Sequence, residues 1–174
     1  LVGTISYVPG PGAPVAAGTY AVTCAFPGDA NHDASSGTNT IAITRVAATV
    51  TAGDGTKVFG TSDPALSAVT TVGFLAGDVA GITLAQSRAA GETVGSYATT
   101  ATATGGNVAS YAVTYVPGAF TITKAPTTTT TTGGTFPYDG LAHGSVCTVT
   151  SPSGAALVGT ISYVPGPGAP VAAG

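Results

Sequence analysis

Methionine and tryptophan are absent, and the 174 residues include only four basic and seven acidic side chains, for a formal net charge of −3. So few cations leave no electrostatic footprint for nucleic acid or an anionic membrane, and no polybasic partner is indicated. Two histidines, neither near a nucleophile motif, and no paired carboxylates within one segment leave general acid/base or triad catalysis without machinery. An enzyme is not expected, and neither is a cofactor. The apolar runs are broken by Gly, Pro or Thr before the roughly 18 residues a membrane span needs, and Leu1 does not open a signal peptide. No segment holds a helical period for the length of a stable helix, although Phe74 to Ile82 can form one turn around Ala76-Gly77-Asp78. Asn31, Asn39 and Asn107 lack Ser or Thr two positions on, so there is no N-glycosylation sequon.

What the chain has is Thr, Ala, Val and Gly in short β-branched runs separated by turn residues, which predicts an all-β fold. It also has an exact internal repeat. LVGTISYVPGPGAPVAAG, Leu1 to Gly18, returns unchanged at Leu157 to Gly174, a period of 156 residues. An identity that starts and stops inside structural units reads as an arbitrary cut through a longer tandem polymer. The presence of both copies favours a continuous polypeptide over discrete subunits completed by strand donation.

Similar junctions at Ala42-Ile43-Thr44-Arg45-Val46 and Thr121-Ile122-Thr123-Lys124-Ala125 divide the period into two modules. Residues 1–45 form the back half of module A, 46–124 form module B, and 125–174 form the front half of the next module A. Gly18-Thr19-Tyr20 and Gly95-Ser96-Tyr97 are corresponding strand entries, with each Tyr ring expected near a sandwich corner. Thr38 to Thr44 reads as the final strand of module A. Tyr111 to Tyr115 and Phe120 to Thr123, around Val116-Pro117-Gly118-Ala119, read as a hairpin. Thr127 to Thr132 reads as a first strand rather than an O-glycosylated tether, since six β-branched residues restrict the backbone to extended forms. Neither junction contains a flexible Gly/Ser linker.

Applying the period places Cys24 of the next copy 33 residues beyond Cys147. Both cysteines sit in alternating segments, so they are disulfide candidates between successive repeats, in preference to two free buried thiols. Such a loop would contribute roughly 3 to 4 kcal/mol on the chain-entropy model and would place the protein outside the cytoplasm. Asp29-Ala30-Asn31-His32-Asp33 has the opening oxygens of a calcium loop but lacks its Gly and distal acid, and reads as a solvated turn. His143 and Cys147 have too few partners for a zinc site, so no metal is expected.

Module B, with Phe59-Gly60-Thr61-Ser62-Asp63-Pro64-Ala65-Leu66, Gly77-Asp78, Val94-Gly95-Ser96-Tyr97 and the ending Phe120-Thr121-Ile122-Thr123-Lys124-Ala125, resembles an MBG-type repeat. Module A, with Tyr138-Asp139-Gly140-Leu141-Ala142-His143-Gly144, Pro14-Val15-Ala16-Ala17-Gly18-Thr19-Tyr20 and Gly28-Asp29-Ala30-Asn31, is similar to bacterial Ig-like repeats. The resemblance implies two tandem Ig-like β-sandwich modules per period, with module B allowed a β-grasp-like form and one short helical turn. It further implies the extracellular surface of a bacterium, with neighbouring copies of the repeat as partners, in one chain or head to tail, and lateral filament association open. The function expected is a structural repeat of a fibre, stalk or adhesin, forming a semi-rigid rod. The alternatives are a ligand-binding adhesin module, in which Tyr7, Tyr115 or Tyr138 would contact sugar or protein, and a spacer in a secreted enzyme.

Overall fold

The computed structural model describes residues 2–152, 154, 157–164, 166 and 168–171. The chain is nearly all β, with multiple sheets. In order, the strands are β1 (Thr4–Val8), β2 (Gly18–Phe26), β3 (Ser35–Ile43), β4 (Val46–Thr51), β5 (Gly55–Val58), β6 (Thr70–Val72), β7 (Thr83–Arg88), β8 (Gly95–Thr104), β9 (Tyr111–Val116), β10 (Gly118–Thr123), β11 (Thr128–Thr131) and β12 (Cys147–Thr150). One helical turn, α1 (Ala76–Val79), lies where the sequence predicts it, and a 3-10 turn covers Val108–Ser110. Two compact units result: Leu1–Asp54 with Leu66–Ala89 and Ala98–Ala119, and Gly55–Ala65 with Ala90–Tyr97 and Phe120–Gly174.

In the first unit, β1, β2 and β3 form an antiparallel meander, with Thr4 opposite Ala25 and Gly18 opposite Ile43. None of the residues in these strands is buried. A second sheet has the order β6-β4-β9, in which β4 runs parallel to β9 from Val46↔Tyr111 to Thr51↔Val116. The β7–β8 ladder, Thr83↔Thr104 to Arg88↔Thr99, is antiparallel. Alternation along β4 and β8 turns Val50, Ala52, Ala101 and Ala103 inward, where Val69, Phe74, Ile82, Val108 and Val113 pack around them. The buried members of this core are one valine and three alanines, so each methyl counts.

In the second unit, β10 runs parallel to β5 from Phe120↔Gly55 to Thr123↔Val58, with Phe120 and Ile122 fully buried. β11 pairs antiparallel with β12, so the threonine run is a strand over Thr128–Thr131.

The hairpin expected around Pro117 does not form. β9 bonds to β4, whereas β10 runs parallel to β5. The cause is the link. Pro117 has no N–H to close a turn, the Val116 carbonyl accepts from Ala52 N–H at 2.9 Å, and Ala119 N–H donates to Asp54 Oδ1 at 2.7 Å. The link is thus bonded to the matching bend between β4 and β5, not folded back on β9.

Candidate functional site

Beside that bend lies a dense polar knot. Gly53 N–H donates to Gln86 Oε1 at 3.0 Å, and Gln86 Nε2 donates to the Ser67 carbonyl at 2.9 Å. Asp54 N–H donates to Ser67 Oγ at 2.7 Å, and Ser67 N–H returns a bond to the Asp54 carbonyl at 2.8 Å. Thr99, fully buried, donates its hydroxyl to the Gly53 carbonyl at 2.7 Å. Buried backbone groups at a break in a strand need such partners. Gly118 is required here: a Cβ on it would meet Asp54 Oδ1 and Thr99 Oγ1 at 2.6 Å and the Ala52 carbonyl at 2.8 Å.

A cleft of about 650 Å³ opens between the loop after β1 and the end of the β4–β9 layer. Pro9, Pro14, Val15, Tyr20, Leu75 and Tyr111 form its apolar walls, with Asp78 and Asn107 as its polar groups. The Tyr111 hydroxyl donates to Asp78 Oδ2 at 2.5 Å, Asn107 Nδ2 donates to Asp78 Oδ1 at 2.7 Å, and Leu75 N–H donates to the Tyr111 hydroxyl at 3.1 Å. The Tyr111 hydroxyl, and then the Asn107 amide, hold the Asp78 carboxyl below its usual range. The carboxylate in turn pushes the Tyr111 phenol up. Phe74 meets the Tyr111 ring edge-on at 4.8 Å. Across the cleft, Ala17 N–H donates to Ser110 Oγ at 3.1 Å, pinning the loop to the 3-10 turn.

The cleft therefore offers an apolar wall and an anion already bonded by its neighbours. Of the aromatics named from sequence, Tyr7 is half-buried on β1; Tyr20, on the neighbouring β2, lines the cleft. Tyr115 and Tyr138 are exposed and do not line it. Tyr20 donates its hydroxyl to the Ala16 carbonyl at 2.9 Å, and Tyr97 donates to the Thr93 carbonyl at 2.7 Å. The two strand-entry tyrosines thus close the same bond four residues back.

Cys24 is exposed and Cys147 half-buried, and both are free thiols. Asp29 accepts from Asn31 N–H at 2.8 Å and bonds His32 Nδ1 at 2.7 Å on the surface; the Asn31 amide and then the His32 ring hold its carboxyl below the usual range. This segment is an Asx-type turn. His143 stacks on Phe136 at 4.4 Å and bonds Asp139 Oδ1 at 3.0 Å. Among the described residues, no group of three or more His, Cys, Asp or Glu converges, and no helix is long and apolar enough to cross a membrane.

Sequence reading missed Lys57. Its side chain is 3% exposed on β5, with Nζ 2.6 Å from Asp63 Oδ1 and bonded also to Glu92 Oε2. Asp63, and then Glu92, hold its ammonium above the usual lysine range. The signal was present in part: Lys57 is one of four basic residues, set between Thr56 and Val58 in a short strand.

Residues 48–121 match the MBG domain family, YGX type. The match falls within module B, whose motifs resemble an MBG-type repeat. No match was found among curated proteins or solved structures.

Proposed function

We propose that the chain is part of a structural repeat of an extracellular fibre, stalk or adhesin at a bacterial surface, in which MBG and Ig-like modules alternate along a semi-rigid rod. The MBG domain, typical of bacterial surface proteins, supports the setting. The observation that carries the mechanical role is the parallel ladder between β4 and β9. The chain enters the ladder at Val46 and leaves it at Val116, at opposite ends of its register. Tension along the chain loads its hydrogen bonds side by side in shear, so they must fail together. The β5–β10 ladder, Gly55 to Thr123, repeats the geometry in the second unit. Only Thr44 and Arg45 separate β3 from β4, and the Ala17–Ser110 bond ties the loop before β2 to the turn before β9. The junction is short and braced, as a rod requires.

Single-molecule pulling tests this. Traction through Val46 and Val116 is expected to need several times the force of traction through Val46 and Tyr111, which face each other and peel apart bond by bond. Equal forces for the two geometries would remove the mechanical role.

A further inference from the structure

The repeated segment occurs in two settings, and its two settings are complementary. In the first copy, residues 4–8 form β1 and pair with β2. In the second, Leu157 bridges antiparallel to Val149 beside β12, the Tyr163 hydroxyl accepts from Ser145 N–H at 2.9 Å, and the Pro170 carbonyl accepts from His143 N–H at 3.2 Å. One sequence thus holds β2 in one place and flanks β12 in the other.

The glycines mark the same overlap. A Cβ on Gly3 would lie 3.1 Å from Cys24 Sγ. Its equivalent one period later, Gly159, faces Cys147 Sγ, which a Cβ there would strike well inside van der Waals contact. At one glycine position, each cysteine occupies the space a side chain would fill. Gly12 and its equivalent Gly168 meet nothing within 4 Å, so the crowding is specific to this point.

We infer that, where one period follows another, the shared segment is a single strand with β12 on one edge and β2 of the next copy on the other, giving one antiparallel sheet β11-β12-β1-β2-β3. The contacts with β12, at Leu157 and Gly159, and those with β2, at the equivalents of 160–164, meet at the shared glycine, where a strand keeps both partners by giving one edge to each. This rests on the continuous-repeat reading above and names the partner that takes the open β1 edge of the meander: the β11–β12 hairpin of the preceding copy. The arrangement also revises the disulfide expected from sequence. Cys147 and the next Cys24 stand two strands apart, about 10 Å between Cα atoms, beyond the roughly 7 Å that a disulfide can span. They meet over the glycine as reduced thiols.

The test is the chain extended by one period, with residues 19–174 repeated after Gly174. Dibromobimane, which fluoresces on bridging two adjacent thiols, is expected to link Cys147 to the Cys24 that follows it, as read by peptide mapping. Amides of Thr160 to Val164 are expected to exchange at least about tenfold more slowly than in the 174-residue chain, because they gain β2 of the next copy as a ladder partner. Gly159→Val should abolish the bridge, whereas Gly168→Ala should leave it. Unchanged exchange, independent alkylation of the two cysteines, or a native disulfide between them would each overturn the sheet order. The rod is judged separately, by solution scattering of the same extended chain, so a rod lacking the thiol bridge would sink the sheet and spare the rod.

Discussion

The Tyr111 hydroxyl stands between Leu75 N–H at 3.1 Å and Asp78 Oδ2 at 2.5 Å, accepting from the first and donating to the second. One phenol thereby fastens α1 to the first residue of β9. Its ring is buried while its oxygen serves two partners.

Tyr111→Phe should lower the Tm by roughly 5 °C, through two lost hydrogen bonds at constant packing. The Asp78 carboxyl is depressed in the folded state, so its contribution is present above the unfolded carboxylate pKa of 3.8 and is lost as pH falls through the lower folded value. Thermal melts from pH 6 down to about pH 2 should show the wild type and Tyr111→Phe converging in acid.

Lys57 has the opposite sign. Its folded pKa is raised, so its stabilisation is complete below the ordinary lysine value of 10.5 and is lost as pH rises through the folded pKa. Melts on the alkaline side should show the wild type falling more steeply than Lys57→Met. Since Asp63 and Glu92 are 40% and 67% exposed, removing the lysine leaves them hydrated. The double variant Asp63→Asn/Glu92→Gln leaves a buried cation and should be the less stable of the two at pH 7.

Gly118→Ala should cost about 1–3 kcal/mol, because the added methyl intrudes on Asp54 and Thr99 and parts the knot. Thr99→Val, which leaves the Gly53 carbonyl without its donor, should fall in the same range of about 1–3 kcal/mol. Urea denaturation read by tyrosine fluorescence measures both, and near-neutral values would mean that the bend is hydrated.

Phe120→Ala should destabilise by about 3–5 kcal/mol, since its side chain is wholly buried. Val15→Ala, at a residue 91% exposed, should lie within about 0.5 kcal/mol of wild type by the same denaturation measurement.

The strands at Gly18, Gly95 and the threonine run, and the single turn at Ala76, were legible because each depends on neighbours within a few residues. The β9–β10 relation was not. Alternating segments around Val116-Pro117-Gly118 fit a hairpin and a passage between layers equally well, and only the distant bend at Ala52-Gly53-Asp54 decides. The cleft was hidden for the same reason: Pro14, Leu75 and Tyr111 come from three separate stretches of chain. The final strand of module A begins at Ser35 rather than Thr38, because pairing with β2 continues through Phe26. Ser35 and Ser36 carry no apolar alternation that would reveal it.

The parallel ladders have a kinetic consequence. Val46 must wait for Tyr111, and Gly55 for Phe120, each 65 residues further along the chain. Contacts of such separation close late and slowly. A chain of this topology completes neither ladder until β9 and β10 are in place, so its two long-range closures set the pace of folding.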